Sequence, residues 1–215
     1  VKSARIVMST AGPTQLRRFG GGLRGRPVGS TVVGVRRGGG RASVVAAPGN
    51  PGIDAVAAGR TAYTSTGGDP AVRDAIARRY PHVASSGAGA LVTIGSHEAV
   101  FVVVLTLVGP GDEVLVPDPG YPGYRHFVRA FEGVARALPV GAAENFQPTL
   151  DMVRAAWTAR TKGLILGSPS NPTGTLIDTA ELHRIATYIA EKGGVLIVDE
   201  IYQGLVYGAE PATVL

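Results

Sequence analysis

The chain has no cysteine among its 215 residues, which excludes a disulfide framework and a thiolate metal site. That composition is compatible with a reducing compartment, and a cytoplasmic location is expected. Lysine is scarce, occurring only at Lys2, Lys162 and Lys192. No secretory signal is visible, and the longest apolar run, residues 99–108, is too short to span a bilayer and reads as a buried helix. No membrane partner is therefore expected. The histidines at 82, 97, 126 and 183 lack ligand spacing, so no metal site is expected either. Gly109-Pro-Gly111 continues as Asp112-Glu113-Val114, which is a turn and not a nucleotide fingerprint.

Acidic residues are missing from the first quarter altogether. Before Asp54 there are nine basic residues, Lys2, Arg5, Arg17, Arg18, Arg24, Arg26, Arg36, Arg37 and Arg41, and none of opposite sign. The overall net charge of +5 thus belongs to that quarter, because the rest carries 12 basic against 16 acidic residues. The same quarter is rich in glycine and shows no sustained period of a strand or a helix. One reading is an arginine-rich arm for nucleic acid, held to phosphates by charge. With Phe19 as its only aromatic residue and no helix-turn-helix pattern, residues 1–53 read better as a disordered or aberrant leader, and no nucleic-acid partner is expected. Residues 54–215 are then the folded part.

That part holds ample core material, in a chain that is 45% hydrophobic overall. Two short apolar runs, Gly163-Leu-Ile-Leu-Gly167 and Gly194-Val-Leu-Ile-Val198, are bounded by turn residues and suit buried strands. Between them, Asp178-Thr-Ala-Glu181 reads as a capping box opening a helix that ends near Lys192-Gly193-Gly194. Strand, helix, strand is a βαβ unit, so the two strands should be parallel neighbours or near-neighbours. Further strands are expected at residues 91–94 and 113–117, another strand and helix within 134–160, and a helix over 71–80 capped by Asp69-Pro70. Polar residues follow both apolar runs: Ser168-Pro-Ser-Asn171-Pro172-Thr173-Gly174 after the first, Asp199-Glu200-Ile201-Tyr202 after the second. Open α/β sheets bind ligands past the carboxyl ends of their strands.

Asn171-Pro172-Thr173-Gly174 and Asp199-Glu200-Ile201-Tyr202 are preceded by Thr93-Ile-Gly95-Ser96-His97-Glu98-Ala99 and by Val114-Leu-Val-Pro117-Asp-Pro119-Gly-Tyr121-Pro122-Gly-Tyr124. In this order and spacing the four blocks resemble the aminotransferase class I/II family, fold-type I enzymes that use pyridoxal 5'-phosphate. The resemblance covers residues 58–208. It implies a three-layer αβα architecture with a mostly parallel sheet, the large domain of such an enzyme, incomplete at the C-terminus. It also implies amino group transfer between an amino acid and a 2-oxo acid, and a homodimer. A lyase or synthase of the same fold would use the same residues; the effector domain of a transcription regulator is a further alternative, but its winged-helix pattern is not readable in residues 1–53.

By that resemblance Gly95, Ser96 and His97 hold the cofactor phosphate at a helix N-terminus, whose free N–H groups suit an anion. Tyr121 stacks on the pyridine ring, and Asp199 pairs with the ring nitrogen and raises its pKa. Asn171 and Tyr202 serve the ring's phenolic oxygen, Pro172 follows a cis peptide bond, and Tyr63 reaches the phosphate in the neighbouring subunit. The family's helix before Tyr63 looks shortened or missing here. Its Schiff-base lysine lies in a serine-rich segment beyond Leu215, so no catalytic residue is assigned and the 215-residue chain is expected to be inactive or very weak.

Overall fold

The computed structural model describes residues 5–9, 51–79 and 90–208. They fall into two compact units, residues 5–9 with 96–208 and residues 51–79 with 90–95. The arginine- and glycine-rich stretch at 10–50 and His82 lie outside the described residues.

The first unit is a five-stranded sheet in the order β1-β5-β4-β2-β3, parallel throughout. Its strands are β1 (Arg5–Ser9), β2 (Glu113–Asp118), β3 (Val134–Pro139), β4 (Thr161–Gly167) and β5 (Val195–Glu200). The helices numbered here in chain order are α3 (Ser96–Leu107), α4 (Gly123–Ala130), α5 (Leu150–Ala156) and α6 (Thr179–Glu191). The central strands are buried along almost their whole length, as a parallel sheet covered on both faces requires, whereas β3 at the edge is largely exposed. Alternation along the strands sorts the side chains between two layers. Leu115, Leu164, Leu166, Leu196 and Val198 form one core with Leu182, Ile185 and Ile189 of α6 and Val153 of α5. Ile165 and Ile197 point the other way, toward Val104 and Val108 at the end of α3. The layers are therefore αβα. No helix of the described residues is long and apolar enough to cross a membrane.

The βαβ unit reads directly off the sequence: β4 and β5 pair in register from Gly163↔Val195 to Gly167↔Asp199, with α6 between them in the chain. Leu164, Ile165 and Leu166 are fully buried, each contributing roughly 1.5–3 kcal/mol of apolar transfer. The capping box at the start of α6 is only half formed. Asp178 Oδ1 accepts from the Glu181 N–H at 2.9 Å, but the Glu181 carboxylate turns away to accept from the Leu150 N–H at 2.5 Å and to pair with Arg184. It satisfies the first turn of α5, a donor 31 residues away, in place of its own helix start.

Residues 1–53 gave no strand pattern, yet Arg5–Ser9 pairs with β5 from Arg5↔Leu196 to Ser9↔Glu200. The backbone of β5 has an open row of hydrogen-bonding groups on that side, and any extended segment can fill it without an amphipathic pattern of its own.

In the second unit, α1 spans Pro51–Ala57, a helix of seven residues before Tyr63, and α2 spans Pro70–Arg79. Asp69 caps α2, its Oδ1 accepting from the Ala71 N–H at 2.8 Å. Residues 91–94 do not form the expected strand. The Val92 N–H donates to the Gly67 carbonyl and the Thr93 hydroxyl to the Gly95 carbonyl, so the segment is tied to a loop and to itself instead of to a sheet.

Candidate functional site

The carboxyl ends of β2, β4 and β5 bring four of the expected residues within reach of one another. Asp199, the fifth residue of β5, is 7% exposed. Its Oδ2 accepts from the Tyr124 hydroxyl at 2.9 Å and its Oδ1 from the Ile201 N–H at 3.1 Å. Both donors are neutral, and no ion pair reaches this carboxylate among the described residues. Burial accordingly pushes the Asp199 carboxyl above the usual range, although the two hydrogen bonds and the charge of His97 act against it.

Tyr124, on the first turn of α4, is buried. Burial, followed by the charge of Asp199 and the hydrogen bond to it, pushes its phenol far above the ordinary value, so it remains a donor to the carboxylate. Gly167 at the end of β4 makes room for it: a Cβ there would lie 3.3 Å from the Tyr124 hydroxyl. Sequence reasoning did not single out this tyrosine as a partner of Asp199. It stands in the quoted block Tyr121-Pro-Gly-Tyr124, and the available signal was that a tyrosine on a buried helix face needs a partner for its hydroxyl.

Tyr121 lies beside it, the two rings meeting edge to face at 5.3 Å and 73°. A Cβ on Gly123 would fall 2.4 Å from the Tyr121 ring, so only glycine lets the ring lie over the start of α4. The Tyr121 phenol is raised by its own burial and then by the charges of Asp199 and Tyr202. Tyr202, just beyond β5, is 36% exposed and lies close enough to act electrostatically on both Tyr121 and Tyr124. His97, in the first turn of α3, has its Nε2 2.5 Å from the Tyr121 hydroxyl. Ser96 precedes it as the first residue of that helix.

Asn171 is half-buried in the loop that leaves β4, which starts beside Asp199 through the Ser168 N–H donating to the Asp199 carbonyl at 3.0 Å. The peptide bond before Pro172 is cis, as expected, and so are those before Pro119 and Pro169. Tyr63 and Gly95 belong to the other unit: Tyr63 is fully exposed, and Gly95 has φ +116°.

A parallel α/β sheet with polar side chains gathered past its carboxyl ends defines a ligand-binding domain of the doubly wound kind. Within that class the chain belongs to the aminotransferase class I and II family, which it matches over residues 49–215. It is 36% identical over 159 residues to the aspartate/prephenate aminotransferase of Thermus thermophilus, covering 73% of this chain and 41% of that one. It is likewise 36% identical over 154 residues to a valine–pyruvate aminotransferase of Mycobacterium tuberculosis, covering 70% and 39%. The structure of the Thermus thermophilus aspartate aminotransferase with maleate superposes with a TM-score of 0.69 at 34% identity, over 75% of this chain and 43% of that chain. The chain thus spans about two-fifths of the length of the curated relatives it matches.

The family generally depends on pyridoxal phosphate, and the donor set fits that group. A deeply buried carboxylate that meets only neutral donors is suited to a cationic N–H, which is what a protonated pyridine nitrogen presents.

Proposed function

We propose that this chain is the cofactor-holding part of an aminotransferase that uses pyridoxal 5'-phosphate to move an amino group between an amino acid and a 2-oxo acid. The observation that carries the reading is Asp199, buried at a strand end and bonded, among the described residues, by a tyrosine hydroxyl and one backbone N–H. When bound, pyridoxal phosphate supplies an electron sink for the carbanion formed at the substrate's α-carbon.

Asp199 would hold the proton on the ring nitrogen, since an ionised carboxylate in a dry pocket favours the protonated base. Tyr124 keeps that carboxylate aimed and cannot itself give up its proton near neutrality. Tyr121 offers a flat apolar face to the ring. Asn171 and Tyr202 would donate to the phenolic oxygen, and the free N–H groups at the start of α3, with Ser96, would take the phosphate. Gly95 and Tyr63 join this assignment through sequence resemblance, Tyr63 as a contributor to the neighbouring subunit's site in a homodimer. A cytoplasmic location belongs to the same proposal and is checked by fractionation.

Titrating pyridoxal 5'-phosphate into the chain, followed by its absorbance, tests the reading. Saturable binding that weakens strongly in Asp199→Ala is expected. Absence of saturable binding, or equal binding by the variant, would overturn it.

A further inference from the structure

We propose that His97 is a positioning residue for Tyr121, holding the phenol so that its ring stays flat beneath the cofactor, and is not a ligand of the cofactor phosphate through Nε2. The inference rests on the proposed pyridoxal phosphate site and assigns the imidazole a different role from the one the family resemblance suggests.

The geometry commits this imidazole on two sides. Its Nε2 lies 2.5 Å from the Tyr121 hydroxyl, with the ring planes tilted by 32° at 5.6 Å. Its other contact is with the ring of Phe127 on α4, met at 5.7 Å and 69°, and Phe127 in turn meets Phe101 of α3 at 6.3 Å. His97 is therefore braced against α4 while it grips the hydroxyl at the tip of Tyr121. The ring of Tyr121 has Gly123 on one side and the edge contact of Tyr124 on another. Those contacts restrain the body of the ring, but a tyrosine can still swing about its first two side-chain torsions unless the far end is held. The hydrogen bond from α3 supplies that third point. A stacking ring already held in its bound orientation loses less freedom when its partner arrives, so affinity rises without any contact between His97 and the ligand.

Two probes separate the roles: pyridoxal 5'-phosphate and pyridoxal, which lacks the phosphate. His97→Phe keeps the packing against Phe127 and removes the hydrogen bond; Tyr121→Phe keeps the stacking face and removes the hydroxyl. A positioning role predicts that each variant weakens both probes by the same factor, roughly 3- to 10-fold, and that the double variant loses no more than either single one. A loss confined to the phosphate-bearing probe, or effects that multiply, would overturn it. Failure of the wild-type chain to bind either probe would instead sink the site reading. A ligand-free arm is independent of that: the alkaline ultraviolet titration of Tyr121 should move in His97→Phe, and the chemical shifts of the His97 ring protons should move in Tyr121→Phe, because each change removes a partner of the contact. If neither moves, the contact does not exist in solution and the proposal fails. His97 is exposed and Tyr121→Phe keeps the half-buried ring, so both variants should melt close to the wild type.

Discussion

The two ends of the sheet bury carboxylates in opposite company. At the amino end, Glu113 is 2% exposed and accepts from Arg160 at 2.7 Å and 3.1 Å, from the Thr158 hydroxyl at 2.8 Å and from Arg136 at 3.4 Å. The Arg160 hydrogen bonds, then that of Thr158, hold its carboxyl below the usual range in spite of burial. At the carboxyl end, Asp199 is nearly as buried, meets neutral donors alone among the described residues, and is pushed upward. Glu113 is already complete, with β2 joined to the turn before β4; nothing remains for a ligand to neutralise. Asp199 is desolvated and, among the described residues, has no cation within ion-pair distance, a cost that a binding partner can offset. Burial alone does not separate a structural carboxylate from a functional one, whereas the charge of its partners does.

If that contrast is right, the largest effect should come from Asp199→Ala. We expect pyridoxal 5'-phosphate to bind about 100-fold more weakly, a loss appropriate to a charge-assisted bond in a dry site. Stability should fall less than it does in Glu113→Ala, because the lost bonds to Tyr124 and Ile201 are offset by removal of a desolvated charge. An equal loss of affinity and stability would erase the distinction.

Glu113→Ala should do the reverse. It strips the partner from two arginines that are 72% and 43% exposed and can rehydrate, so a stability loss of about 2 kcal/mol in urea melts is expected, with cofactor affinity unchanged in the folded protein. A change in affinity would show that the two ends communicate.

Tyr124→Phe sharpens the comparison by leaving Asp199 buried with one donor fewer. The loss of a buried hydrogen bond to a carboxylate suggests about 1.5 kcal/mol less stability above the carboxyl's titration, and a roughly fivefold weaker affinity by titration.

The smallest effect is in pH dependence, where the two carboxylates should have opposite signs. Glu113 has its folded pKa below the ordinary 4.5, so its contribution is present above that value and is lost as pH falls through the folded pKa. Asp199 has its folded pKa above the ordinary 3.8, so its contribution is full below that value and is lost as pH rises through the folded pKa. Glu113→Gln should therefore flatten the acid limb of a stability profile, and Asp199→Asn should be more stable than the wild type near neutrality. Urea midpoints measured from about pH 3 to about pH 8 would check both slopes.

The contrast also separates what a one-dimensional reading can see. From Gly163 to Gly208 the apolar runs, the helix start at Asp178 and the strand-end position of Asp199 follow from composition, periodicity and turn residues, and the structure has them in those places. Strand identity is local information: a run of Leu, Ile and Val bounded by glycine has few other ways to be buried. The same local rule failed at residues 91–94, where an apolar run without a sheet partner stayed irregular, and at Arg5–Ser9, where a segment without a pattern became a strand because β5 offered an edge.

The amino-acid sequence by itself determined the αβα class, the parallel βαβ unit and the family, because these rest on residue type at short spacing. Tertiary structure alone decided who meets whom. Tyr124 finds Asp199 across 75 positions of the chain, Glu113 finds Arg160 across 47, and His97 finds Tyr121 across 24. Each pairing depends on which strands lie side by side and how far each helix extends over the sheet. A polar group's pKa and role follow from those neighbours, since the energy of a buried charge is set by the atoms packed around it and not by the residues next to it in the chain.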